Sequence, residues 1–298
     1  MVSTVTKYRI ILRILRRPFK YWYPGANFIN EIIDRYGNHI ENGDILVISE
    51  KALSIALGNI YDEEIIHVDI ITKLFTFMTV KILWTKLLRS LLKSQDILSI
   101  LDNTSIKVLG AHKKLALRYG GLKHFLKPVS EAGIDTTNLP YSYVSLPLLN
   151  IDHVLNKIQI EIYRNLKKYV NILVIDTDKT YRMKYLKNVV FATRFSTIKG
   201  VIDLGFVSYI LGKKFRNLFV AYPTPIAYKG IRLSLHLILY IAKFVEKFMG
   251  HGLGRTAVEM LMNLNKRDFK DIKWIDMNKV KHYPVILVKL KIIHKSFN

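Results

Sequence analysis

Cysteine is absent from all 298 residues. That excludes disulfides, thiolate metal sites and cysteine nucleophiles, and it fits a cytoplasmic protein. Acidic residues are scarce: 23 Asp and Glu stand against 46 Lys and Arg, a formal net charge of +23. No apolar run reaches the ~18–20 residues that a membrane-crossing helix needs. The two nearest are "LFTFMTVKILWTKLLRSLL", broken by Lys81, Lys86 and Arg89, and "IRLSLHLILYIAKFVEKFMG", which carries Lys243, Glu246 and Lys247 at helical spacing. Both read as amphipathic helices packed on a core, and the first also suits a membrane surface. The first residues lack the small-residue cleavage site of a secretory peptide.

Several chemical signatures are missing as well. The nine histidines form no H-E-x-x-H or H-x-H, which argues against a zinc hydrolase. There is no G-x-S-x-G elbow and no Walker G-x-x-x-x-G-K-[ST] loop. RNA-recognition and zinc-finger patterns are lacking. No internal repeat and no Ser/Gly/Pro-rich linker divides the chain, so residues 1–298 read as one unit.

What is present is a core and a positive field. Half of the residues are apolar, so the chain is not a disordered polyelectrolyte. The basic excess suits either a solvated lysine-rich surface or a polyanion partner: a phosphorylated substrate, an anionic membrane or nucleic acid. Nucleic acid is the less favoured partner, because charge alone supports only non-specific binding.

Short β-branched runs predict strands over 8–15, 45–49 and 65–71, with "SIKVLG" a further candidate. "NILVIDTD" reads as a buried strand ending in carboxylates, "NLFVAYPTPIAY" as a strand and then a proline turn, and "YPVILVKLKII" as the last strand. Helices are predicted between Asn27 and Gly37, over most of 73–101, and over 151–168, 231–249 and 255–264. Strands and helices mix without regular βαβ repetition, so the fold class is α+β, with mixed sheets and packed helices.

Four stretches are candidates for chemistry. Asp176 and Thr177 end a buried strand, and a carboxylate there needs a cation or several donors. Carboxylate plus hydroxyl is hard-oxygen chemistry suited to magnesium or manganese, although Asp is also a common turn residue. "SEAGIDTTNLP" holds Asp135 and Asn138 between Gly133 and Pro140, as a ligand loop or as an Asx turn. "MGHGLGRT" places Gly250, Gly252 and Gly254 before a helix, where backbone N–H groups can face phosphate or simply form a cap. "ISEKALSIALG" runs from a strand into Glu50, Lys51 and Ser54, and Lys51 either meets a phosphate or faces solvent.

Together these stretches resemble a known family. "GDILVISEKALSIALG", "EAGIDTTN", "LVIDTDKTYR" and "KFMGHGLG" are similar, in family order, to segments of the coenzyme F-420 γ-glutamyl ligases. The similarity is clearest from Gly43 to Arg182. It implies two intimately associated α+β subdomains and a homodimer. It also implies a GTP-dependent, divalent-metal-dependent ligase (Mg2+ or Mn2+) that joins L-glutamate to a phosphorylated deazaflavin through an acyl phosphate. By motif, Asp135 and Asp176 hold metal and Thr177 completes a second metal position. Lys51, Asn138, Gly250, Gly252, Gly254 and Thr256 hold the nucleotide. The chain departs from the family where lysine, glutamate and arginine become Ile55, Leu57 and Asn59. It departs again where "D-T-F-G-R" becomes Asp176-Thr177-Asp178-Lys179-Thr180, at Leu146-Pro147-Leu148, and at Ser208 in place of an aspartate. These changes leave a second reading open: a paralogue that binds a nucleotide, a phosphorylated metabolite or nucleic acid without turnover.

Overall fold

The structure is a computed structural model that describes residues 7–87, 102, 104–128, 131–185 and 189–295. The predicted helix over 73–101 therefore lies outside the described residues from 88 on, as does Ser130. In chain order the main elements are β1 (Lys7–Arg16), α1 (Phe28–Tyr36), β2 (Ile45–Ser49), α2 (Glu50–Ala56), β3 (Ile60–Asp62) and α3 (Ile70–Thr76). A π-helical stretch, Phe77–Trp84, continues α3. Next come α4 (Ile106–Gly120), β4 (Tyr143–Ser145), α5 (Ile151–Leu166), β5 (Asn171–Met183), β6 (Val190–Ala192), β7 (Val201–Asp203) and α6 (Phe206–Lys214). The chain closes with β8 (Phe219–Lys229), α7 (Leu235–Met249), α8 (Ala257–Leu264) and β9 (Val285–Lys295).

The fold is α+β. A mixed seven-stranded sheet runs β1-β9-β2-β5-β6-β7, with β8 also paired to β5, and β3 with β4 forms a second, small sheet. The β2–β5 pair is parallel, whereas β9 is antiparallel to both β1 and β2. Strand periodicity places alternate residues on opposite faces. Leu46, Ile48, Ile172 and Val174 pack with α1 and α5, while Ile45, Val47, Leu173 and Ile175 pack with α7. Both faces of the central strands are thus covered, which explains their unbroken apolar runs.

Four expectations differ. The strand expected over 65–71 is instead the approach to α3, because Asp69 caps that helix by accepting from Thr72 N (2.8 Å) and Thr72 Oγ1 (3.0 Å). "SIKVLG" opens α4, with Ser105 Oγ accepting from Val108 N (3.3 Å). The proline turn after Val220 is no turn, since β8 runs straight through Pro223 and Pro225. Those prolines pair with Lys179 and Ile175, at the two register shifts in β5, where the ladder requires no proline N–H. For the same reason "VIDTD" is not a strand end: β5 continues to Met183, and Asp176 and Asp178 lie at its irregular middle.

Candidate functional site

The site starts from the parallel pair. Ser49 of β2 stands in register with Ile175 of β5, so Glu50 and Lys51, at the start of α2, emerge beside Asp176. Carboxyl ends of parallel strands are where open sheets place ligands. The loop carrying Asp135 is fixed there by a two-way backbone bridge with Ser145 (3.2 and 2.9 Å). Asp135 Oδ1 accepts from Thr137 N (2.7 Å) and Thr137 Oγ1 (2.8 Å), and Asp135 Oδ2 pairs with Lys51 Nζ at 2.6 Å. Lys51 also donates to Thr137 Oγ1.

Asn138 holds the glycine loop. Its Oδ1 accepts from Leu253 N (2.6 Å), and its Nδ2 donates to His251 O (3.3 Å). Gly252, at φ +59°, passes so close that a Cβ there would lie 2.3 Å from Asn138 Oδ1. Beneath the loop lies an apolar floor of Ile55, Leu139, Leu253 and Met260.

These segments enclose a cavity of about 700 Å³. Lys51, Asp135, Asn138, Asp176, Thr177, Gly250, Gly252 and Gly254 all line it, so stretches far apart in sequence meet at one place. Lys20, Lys179, Lys247 and Arg255 add positive charge to its walls. Thr256 does not line it. Its hydroxyl caps α8 by accepting from Glu259 N (3.1 Å), while the Glu259 carboxylate accepts from Arg255 N (2.6 Å).

Behind the cavity lies a charged cluster that the motifs did not disclose. Arg194 is 1% exposed and donates to Glu50 Oε1 (2.9 Å) and to Asp176 Oδ2. Lys127, equally buried, pairs with Asp178 (3.2 Å). Burial works against ionising Asp176, but Arg194, aided by Lys51 and the Thr177 amide, holds its pKa below the usual carboxylate range. Burial lifts Glu50 to about 7 against the pull of Arg194. Burial, together with the Asp176 charge, also raises Asp178. Gly133 of the Asp135 loop lies flat on the same guanidinium: at φ +80°, a Cβ there would be 2.1 Å from Arg194 Cζ. Arg194 stands in "FATRFS", which carries no pattern. The only signal for it was the buried acids that required a cation.

A second network ties the loop to α4. His112 bridges Glu63 (2.6 Å) and Glu131 (3.2 Å), and Lys113 pairs with Glu131 at 2.6 Å, two residues before Gly133.

The model of the family described as F420-0:Gamma-glutamyl ligase matches residues 19–214. The chain belongs to this family. A relative in Methanocaldococcus jannaschii, itself an uncharacterized protein, is 31% identical over 287 residues, covering 91% of this chain and 94% of the relative. The match begins at Phe19 and takes in Lys51, Asp135, Asn138, Asp176, Thr177 and Arg194, whereas the glycine loop lies beyond it. Among the described residues no helix is long and apolar enough to cross a membrane.

Two of the departures from the resemblance, Ile55 and Asn59, fall at sites with clear structural roles. Ile55 is 2% exposed and belongs to the apolar floor. Asn59 Nδ2 donates to Ser54 Oγ and to the carbonyls of Leu146 and Pro147, which closes the end of α2. Leu57 is on the surface, and Ser208 is fully buried.

Proposed function

We propose that the chain is a GTP- and divalent-metal-dependent ligase, acting as a homodimer, that forms an amide bond between L-glutamate and a phosphorylated deazaflavin coenzyme. The observation that carries this reading is the convergence of four family-like stretches on one cation-lined cavity. Asn138 and the Gly250–Gly254 loop take the nucleotide, with Lys51 on its phosphates. The glycines let the backbone approach closely, and Lys51, now on Asp135, is within reach of the same space.

The donor set fits magnesium or manganese. Mg2+ is commonly held by one or two carboxylates plus substrate phosphates. Asp135 and Asp176 are two such carboxylates lining the cavity, and the Thr177 hydroxyl would be a third hard-oxygen donor. Among the described residues no group of three His, Cys, Asp or Glu side chains would hold an ion alone, which leaves the remaining positions to phosphate oxygens and water. When bound, the metal neutralises charge on the transferred phosphoryl group.

In this reading the acceptor carboxylate attacks the γ-phosphorus of GTP, GDP leaves, and an acyl phosphate forms. The glutamate amine then attacks the acyl carbon, phosphate departs, and the amine proton goes to solvent or to a base. The residues bind, orient and exclude water. No protein nucleophile is needed, consistent with the missing nucleophile motifs. Asp135→Asn and Asp176→Asn are each expected to abolish GTP hydrolysis coupled to ligation, scored as phosphate released and amide formed. Full ligation by both variants would remove the metal assignment.

One observation favours a second reading. Ile55, where the resemblance calls for a lysine, is buried in apolar packing, so no charge stands there on the nucleotide side. A chain that binds GTP with metal but forms no amide with any phosphorylated deazaflavin would be a binding protein derived from the ligase fold.

A further inference from the structure

Cations dominate the cavity wall, but one corner of it is negative. Among the described residues three acids line the cavity: Asp135, Asp176 and Glu246. The first two belong to the proposed metal site, and Glu246 of α7 has no part in it. Lys179 of β5 donates to Glu246 Oε1 at 2.7 Å. Glu246 Oε2 has no partner among the described residues. Both side chains are partly open, at 22% for Glu246 and 43% for Lys179. Helix α7 adds to the same corner. Its last turn, which carries Glu246, ends at Met249 and Gly250, both on the cavity wall. In α1 to α6 and in α8 the N–H at the C-cap bonds back to a carbonyl of the last turn. The Gly250 N–H makes no such bond, and Gly250 turns away at φ +72°. The helix therefore brings an open carbonyl end, with its partial negative charge, to the cavity.

We infer that Glu246 and Lys179 form the seat for the head group of an α-amino acid. The inference rests on the ligase reading and gives the incoming amine its place. Nucleotide and acceptor are anions, whereas the amine arrives as an ammonium. The cationic walls suit the anions. The Glu246 corner suits the ammonium, since Asp135 already pairs with Lys51 and Asp176 with Arg194. Lys179 shows the fit, because its own primary ammonium sits on Oε1 at hydrogen-bond distance. An amino-acid ammonium takes Oε2, next to the open end of α7. The α-carboxylate takes donors that Lys179 does not spend on Glu246, for an ammonium has three. An acid and a base side by side match a molecule whose ammonium and carboxylate share one carbon. A divalent cation fits less well, because Lys179 repels it. Lys179 falls where the resemblance has a glycine, and Glu246 lies beyond the matched residues 19–214, so the pair comes from no family motif.

Ligand-observed NMR titration of the full chain tests this, with and without a non-hydrolysable GTP analogue and Mn2+. L-Glutamate and L-alanine share the head group, and both should bind. Glutarate lacks the ammonium and γ-aminobutyrate lacks the α-carboxylate. Each should bind at least ~10-fold more weakly than L-glutamate, the loss expected for a missing charged hydrogen bond. Glu246→Gln should weaken L-glutamate at least ~10-fold as well. It should leave affinity for the GTP analogue no lower, because it removes a negative charge from the cavity. Lys179→Met should weaken both amino acids while keeping the far-UV circular dichroism. Three results would each overturn the seat: no binding of either amino acid, glutarate as tight as L-glutamate, or an L-glutamate affinity unchanged in Glu246→Gln. The ligase reading fails separately. Absence of metal-dependent binding of the GTP analogue, with the amino-acid pattern intact, would remove the ligase and keep the seat.

Discussion

Burying a guanidinium is costly unless its donors meet acceptors, and removing one partner from such a cluster leaves charge stranded. Arg194 answers Glu50 and Asp176 from behind the cavity. Arg194→Met is therefore expected to destabilise the fold by about 3–5 kcal/mol, read by urea unfolding; a variant as stable as the parent would show that the acids are satisfied without it. His112 makes a different prediction. Burial opposes its protonation, but Glu63 and Glu131 outweigh burial and lift its pKa to about 10. A histidine raised in the folded state contributes stability that is complete below its unfolded pKa of ~6.5 and is lost as pH rises through the folded value. Stability should therefore fall between about pH 6.5 and 10, and His112→Gln should flatten that slope in denaturant titrations across pH. A parent whose stability does not change over this range would contradict the charged bridge.

At the scale of elements, the glycine loop and the Asp135 loop form one unit through Asn138. Gly252→Ala would drive a methyl group into the Asn138 amide and strain a φ of +59°. The expected result is an at least tenfold loss of nucleotide affinity with little change in melting temperature, and faster amide exchange over 250–254; unchanged affinity would separate the loop from the nucleotide. The elements also show what was legible beforehand. Doubly covered strands such as 45–49 and 171–175 announced themselves, because both of their faces are apolar. Helix α1 did so through Asn27, whose side chain accepts from Asn30 N (3.3 Å). The glycine and aspartate loops were visible because turn chemistry needs those residue types. Local pattern failed where distant partners decide. "SIKVLG" has β-branched content, but Ser105 caps it into a helix. The prolines of β8 signal a turn until the bulges of β5 opposite them are known. Arg194 and Lys127 look like any surface cations until Glu50, Asp176 and Asp178 are placed around them.

At the scale of the whole molecule, the first and last described strands, β1 and β9, lie side by side. β9 enters the sheet between β1 and β2, pairing Arg16 with Ile286 and Ile48 with Val285. The family match ends at 214, before β8, α7 and β9. A fragment spanning 1–214 would leave β1 and β2 without β9, β5 without β8 and one sheet face without α7. It is expected to lack a cooperative thermal transition in calorimetry; a sharp, reversible transition would show that the matched region folds by itself.

The central claim is that this cavity binds a metal-nucleotide pair through Asp135 and Asp176. Its most direct test is calorimetric titration of the full chain with GTP, with and without Mn2+. The account predicts saturable GTP binding that requires the metal and is lost in Asp135→Asn and in Asp176→Asn. GTP binding that ignores the metal, or that survives both substitutions, would contradict it.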